Sequence, residues 1–273
     1  MTNRAQIWKP GDFSLGQVHE FMGAFGRAGG TPELLQLAIE NKEKMRQIVL
    51  TFDGHLLYTD EQLKSFDDYP YGFRIRSVKK QVETLLEHFP DLDPSHIEDM
   101  AKGDLSEGAE GWAVIPKPEK IGNTYCEALA KVLGLFSKDC KFEKHHLSLI
   151  EETKQVHAVL NEHPGDFWVI PFQFGKRWGG RSVRNAQVNF AGNEFGFGPY
   201  EVAILLLTHP NRITRLEHLF INCAGCEYPA DAESNFSCLG FGWANMDESV
   251  VLYCNTTDNA HLQWGVASGF LAQ

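Results

Sequence analysis

Apolar positions recur at helical spacing from the start of the chain, with Leu15, Val18, Phe21, Met22 and Phe25 on one stripe and Leu34, Leu35, Ala38, Ile39, Met45, Ile48 and Val49 on a second. Gly29 and Gly30 separate the two, and Thr31-Pro32-Glu33 supplies a cap, a first-turn proline and a first-turn acid. The pattern predicts an αα-hairpin. Read as a DNA-binding helix-turn-helix, its second helix would open on Pro32, Glu33, Leu34 and Leu35, acidic and apolar where polar base-reading side chains are needed. A packing hairpin is therefore expected.

Residues 52–76 are rich in Asp, Tyr, Gly and Pro and read as a connector. A further amphipathic helix is predicted over 77–89, burying Val78, Val82, Leu85 and Leu86 and stopping at Pro90. Small and acidic residues over 104–111 suggest a second boundary before the apolar run 112–116. Helices follow over 123–137 and 142–160. Aromatic and β-branched residues over 166–174 predict a strand, with Pro171 hinting at an edge or bulge. Pro199 and the His209-Pro210 pair frame a buried helix over 199–208, and strands are expected over 219–223, 236–243, 249–254 and 262–270. The fold class this predicts is α+β: an N-terminal helical segment followed by helices packed on a largely antiparallel sheet. The expected division is a mostly helical segment with a loop-rich connector over 1–105 and an α+β domain over 106–273.

Composition narrows the functional classes. The chain of 273 residues is 43% hydrophobic and 22% charged, enough for a core without metal or disulfide staples. Its formal net charge of −11 argues against a whole-surface grip on nucleic acid. The longest aliphatic run, residues 202–207, is far too short to span a bilayer, and the first ten residues lack a basic segment followed by an apolar stretch. A cytoplasmic protein with reduced cysteines and no membrane partner is the expectation.

One stretch departs from this acidic background. Residues 175–184, Gly-Lys-Arg-Trp-Gly-Gly-Arg-Ser-Val-Arg, place Lys176, Arg177, Arg181 and Arg184 among glycines, with no acid between Asp166 and Glu194. Gly175, Gly180, Arg181 and Ser182 match a phosphate-cradling loop except that arginine replaces its lysine, and no later hydrophobic strand ends in a magnesium-binding aspartate. Nucleotide hydrolysis is disfavoured. Arginine forks still suit phosphate or carboxylate, and Phe172, Phe174 and Trp178 offer rings on which bases could stack, so a phosphate-containing ligand or single-stranded nucleic acid is a candidate partner. The competing structural reading pairs these arginines with the chain's own acids, seven of which lie after Arg215 where no Lys or Arg occurs.

A second constellation is Cys223-Ala-Gly-Cys226 with Cys238 and Cys254 downstream. Four thiolates would hold zinc, yet Cys238 and Cys254 lie in separate predicted strands and nothing forces convergence. No cofactor is predicted, with zinc at Cys223 and Cys226 as the alternative. His209, ending an apolar helix, is a candidate base for Cys223, although a helix-end histidine is more often structural.

Trp-Ala-Val-Ile-Pro-Lys-Pro at 112–118, Gly-Arg-Ser-Val-Arg at 180–184, Asn-Glu-Phe-Gly at 193–196 through Leu-Leu-Thr-His-Pro at 206–210, and Ala-Ser-Gly-Phe-Leu at 267–271 resemble a family of uncharacterised bacterial proteins of unknown function. The resemblance covers about residues 108–273. It implies a bacterial cytoplasmic origin and a shared module, and carries no activity, ligand or catalytic residue. The favoured function is a non-enzymatic binding or accessory protein using Lys176, Arg177, Trp178, Arg181, Ser182 and Arg184 as an anion-binding loop. The alternative is a metal- or thiol-dependent hydrolase built on Cys223, Cys226 and His209.

Overall fold

Ser77 caps helix α1 (Val78–His88), its hydroxyl accepting the Lys80 N–H at 3.4 Å, and Pro90 follows the helix end. Leu85 is fully buried, as is the polar Gln81, whose amide donates to the Trp112 carbonyl at 2.7 Å and accepts from the Val114 N–H at 3.0 Å. Gln81 thus supplies the pairing that the outer side of strand β1 (Gly111–Pro116) would otherwise lack. These elements come from a computed structural model that describes residues 58–65, 69–136, 147–227, 237–245 and 248–271, with Thr31 and Gln36. The chain divides into two compact units, residues 1–54 and 55–273. The two amphipathic stripes expected before residue 50 lie, Gln36 and Thr31 apart, outside the described residues.

The second unit continues through α2 (Ile97–Met100), α3 (Pro118–Ile121), α4 (Tyr125–Phe136), β2 (Ser148–Leu149), α5 (Glu151–Asn161), β3 (Phe167–Gln173) and α6 (Val183–Val188). It ends with β4 (Glu194–Gly196), α7 (Pro199–Thr208), β5 (Phe220–Cys223), β6 (Cys226–Glu227), β7 (Ser237–Ala244), β8 (Ser249–Thr256) and β9 (Trp264–Phe270). The main sheet runs β1-β3-β9-β5-β7-β8, with β4 also on β9, and β2 pairs β6 separately. All its pairings are antiparallel except β5 with β9, where Phe220 lies opposite Trp264. The protein is an α+β fold. Among the described residues no helix is long and apolar enough to cross a membrane.

Helix α7 is buried at every position and packs against α4, α1 and strands β1, β5 and β7. Each fully buried leucine or isoleucine there contributes about 1.5–3 kcal/mol. Its N-cap is Gly198, which has no side chain to cap with, and the Tyr125 hydroxyl takes over that role. It accepts the Tyr200 N–H at 3.1 Å and donates to the buried Glu201 carboxylate at 2.8 Å.

Two local expectations change. Of the helix expected over 142–160, residues 142–146 lie outside the described residues; α5 starts at Glu151, where Glu151 and Glu152 suit the positive end of a helix dipole, and Ser148 and Leu149 pair instead with Glu227 and Cys226. Pro171 sits opposite Trp112 of β1, while β9 meets β3 only at Phe172 and Gln173, so its missing N–H faces no partner strand.

Candidate functional site

The chain leaves β3, crosses residues 174–182 and enters α6, which is the strand–loop–helix order of a phosphate cradle. Six of its backbone donors, those of Gly175, Lys176, Gly179, Gly180, Arg181 and Ser182, are already engaged. Gly175 N–H donates to Gln173 Oε1 at 2.7 Å, Lys176 N–H to the Tyr69 hydroxyl at 3.2 Å, Gly179 N–H to the Lys176 carbonyl at 3.2 Å and Gly180 N–H to the Trp264 carbonyl at 2.8 Å. Arg181 N–H donates to the Trp178 carbonyl and Ser182 N–H to the Glu61 carbonyl. Gly180 has φ +76, and a Cβ there would collide with the Leu63 carbonyl, so its glycine serves the docking of residues 61–65. Most of this backbone is thus committed to the fold, and the charges that an anion could meet are those of the side chains.

The side chains are engaged to different degrees. Ser182 caps α6 by accepting the Asn185 N–H at 3.0 Å, and its hydroxyl donates to Glu61 Oε2 at 2.6 Å. Arg184 Nε donates to both Glu61 oxygens, at 2.9 and 2.8 Å, its Nη2 also meets that carboxylate, and its guanidinium lies 4.4 Å from the Tyr58 ring centre. This pairing, with Asp258 adding to it, holds the Arg184 guanidinium above its ordinary pKa. The Glu61→Gln variant is expected to lose about 1–2 kcal/mol of stability, read by urea unfolding, because Ser182 and Arg184 lose a shared charged acceptor. Arg181 donates to Asn185 Oδ1 at 3.0 Å, and burial pushes its pKa down.

Trp178 is 6% exposed and packs with Val183, Ala186, Ala224, Cys238 and Val266, separately from the main core. Phe172 and Phe174 are fully buried. The rings expected to stack nucleic-acid bases are therefore core residues, which removes the platform for single-stranded nucleic acid. Trp178 instead supports two cations, with the Arg177 and Arg181 guanidinium carbons 5.0 and 5.2 Å from its ring centre. Its Nε1–H donates to Glu194 Oε1 at 2.7 Å, and Arg177 Nε lies 3.4 Å from Glu194 Oε2.

Arg177 is the loop residue that is both held and open. Glu194 holds Nε, Trp178 lies beneath the guanidinium, and Gly108 packs against it so closely that a Cβ would overlap Nη1. Its side chain stays 31% exposed, and among the described residues neither terminal nitrogen has a hydrogen-bond partner. It lines a cavity of about 620 Å³ together with Lys102, Asp104, Glu107, Trp112 and Asn193. Lys176 is exposed beside it, its Nζ 5.8 Å from the Tyr69 ring centre. Glu194, Gly108 and the 102–107 segment were not identifiable as site residues from sequence. The one available signal was that Glu194 is the first acid after the loop.

Cys226 Sγ lies 3.7 Å from the Cys223 carbonyl, and among the described residues no hydrogen bond joins either thiol to the His209 ring. Cys223 and Cys226 are buried in the main core, and burial pushes both thiols up, Cys226 to about 12. Cys238 belongs to the separate cluster around Trp178, since alternate residues of β7 face opposite sides of the sheet and it is Leu239, opposite Cys254, that joins the main core. Among the described residues no group of three or more His, Cys, Asp or Glu side chains is placed to hold a metal ion. His209 has both ring nitrogens occupied: Nδ1 lies 2.9 Å from the Leu205 carbonyl and Nε2 accepts the Arg76 N–H at 3.0 Å. The candidate Cys223–His209 pair has no hydrogen bond between its members, and His209 takes the structural role that a helix-end histidine more often has.

No protein-family model, curated protein or solved structure matches the chain.

Proposed function

We propose that this is a non-enzymatic binding or accessory protein that takes the anionic group of a small ligand, a phosphate or a carboxylate, on Arg177. The observation that carries the reading is the Arg177 guanidinium itself, fixed by Glu194, Trp178 and Gly108 with its terminal nitrogens unpartnered among the described residues at a cavity of about 620 Å³. A cavity of that size suits a small molecule. A guanidinium fixed in place by its neighbours loses little freedom on binding and offers a planar fork to a phosphate or carboxylate. Lys176 adds a second exposed cation, whereas Arg184 and Ser182 are committed to Glu61. The resemblance over residues 108–273 adds a bacterial and cytoplasmic setting.

The test is calorimetric titration of the whole protein with inorganic phosphate and with acetate, comparing Arg177→Gln and Arg184→Gln. At least a ten-fold loss of affinity for one anion is expected in Arg177→Gln and less than two-fold in Arg184→Gln. Equal binding by wild type and Arg177→Gln would remove the reading.

A further inference from the structure

We infer that the cavity beside Arg177 takes a small zwitterion, an amino acid or short peptide carrying both an ammonium and a carboxylate group, an inference that rests on the anion reading of Arg177. The cavity is not a uniformly cationic one. Asp104 and Glu107 line it opposite in charge to Arg177, and among the described residues neither carboxylate has a hydrogen bond or an ion pair. Asn193 also lines it; its Nδ2 is spent on the Leu271 carbonyl at 2.9 Å, which leaves the acceptor Oδ1 as its unused polar atom. Lys102, the other cation on the lining, lies 2.5 Å from Asp99 and is largely compensated by it.

The charges left for a ligand are therefore one guanidinium edge and two carboxylates. An isolated phosphate or carboxylate would gain Arg177 but meet two uncompensated negative charges nearby. A ligand that carries an ammonium a few bonds from its carboxylate turns that repulsion into attraction, because an ammonium group donates three hydrogen bonds to just this kind of acceptor set. Trp112, Leu105 and Pro171 complete the lining with apolar surface for the ligand's body. Gly108 links the two halves of the site. Its φ of +86 turns the chain at the end of the acidic segment, and its missing Cβ leaves room for the Arg177 guanidinium.

The test is calorimetric titration of the whole protein with glycyl-phenylalanine, with its N-acetyl derivative, which lacks the ammonium, and with its C-terminal amide, which lacks the carboxylate. The parent dipeptide is expected to bind at least ten-fold more tightly than either derivative. The double variant Asp104→Asn, Glu107→Gln should bring the parent down to the affinity of the N-acetyl form, and Arg177→Gln should bring it down to that of the amide. Both acids lie on exposed loop positions, so thermal unfolding of the double variant should stay within a degree or two of wild type. If the N-acetyl form binds as tightly as the parent, the zwitterion inference falls while Arg177 remains an anion anchor. If the amide binds as tightly as the parent, or if none of the three compounds binds at millimolar concentration, the zwitterion inference falls, and unchanged phosphate and acetate binding in Arg177→Gln then removes the anion reading as well.

Discussion

Replacing Arg212 by alanine is expected to lower the unfolding free energy by about 3–5 kcal/mol, the largest single-residue effect anticipated in this protein. Arg212 is fully buried. Its Nη1 donates to the Leu219 carbonyl at 2.8 Å and its Nη2 to the Phe174 carbonyl at 2.9 Å, joining the end of β3 to the segment that enters β5. The guanidinium lies 4.1 Å from the Tyr69 ring centre and 5.2 Å from that of Phe174. Nearby, the Tyr69 hydroxyl donates to Glu110 Oε1 at 2.7 Å and accepts the Lys176 N–H. Burial pushes the Glu110 carboxyl up and the Arg212 guanidinium down, and the attraction between the two opposes both shifts. Truncating Arg212 leaves two buried carbonyls without donors and Glu110 without its nearest buried cation, losses that a cavity cannot offset. Urea unfolding at neutral pH checks the magnitude. A loss below about 1 kcal/mol would mean that water or a shifted neighbour replaces the guanidinium. Because Tyr69 receives the Lys176 N–H, Arg212→Ala should also weaken anion binding at Arg177 by loosening the start of the loop.

The candidate site was legible in part. Lys176, Arg177, Arg181 and Arg184 stand out because they interrupt an acidic chain, and that composition signal survives folding. What each cation does was not legible, because the deciding acids arrive through tertiary closure: Glu61 is 123 residues before Arg184. Among the described residues the carboxylates paired with Arg177 and Arg184 are Glu194 and Glu61, which both precede Arg215, and from the acid-rich tail Asp258 adds its charge to the field that holds Arg184. The small and acidic residues over 104–111 read as a boundary because sequence shows their polarity and not what they face. In the fold, Gly108 receives Arg177 and the 102–107 segment lines its cavity.

The elements themselves were more legible than their arrangement. Ser77, Pro90 and Pro199 announce helix ends by local chemistry, since a cap or a missing N–H acts within one turn. Strand order carries no such local mark. Placing β9 between β3 and β5, with β5 parallel to it, depends on which apolar faces meet across the chain. The same limit governs the cysteines. A C-x-x-C spacing suggests a metal knuckle, but the two-residue period of β7 sends Cys238 to one side of the sheet and Leu239 to the other.

His209 makes stability depend on pH in a way that can be isolated. It ends α7 with its ring among Phe73, Phe172 and Phe174, at centroid distances of 6.2, 6.2 and 5.4 Å. The Leu205 carbonyl can only accept and the Arg76 N–H can only donate, so Nδ1 carries the proton and Nε2 is the acceptor of a neutral imidazole. A second proton on Nε2 would face the Arg76 N–H. Burial first, and then the positive charges of Arg76 and Arg212, lower the His209 pKa to about 4, against the Leu205 carbonyl, which favours the charged ring. In the unfolded chain the ordinary histidine value is about 6.5, so between about pH 6.5 and 4 the unfolded state binds the extra proton. The contribution of His209 is therefore fully present above pH 6.5 and is lost as pH falls toward 4, amounting to about 3 kcal/mol over the window. Glu110, whose pKa is raised by burial, acts with the opposite sign from about pH 4.5 upward, so the wild-type curve alone mixes the two. Urea unfolding of wild type and His209→Gln at half-unit steps from pH 7 to 4 separates them, because Glu110 is common to both proteins. The difference between the two proteins should shrink by about 3 kcal/mol on going from pH 7 to pH 4. A difference that stays constant with pH would show that the ring takes up its second proton equally in the folded and unfolded states, and that the Arg76 N–H does not hold it neutral.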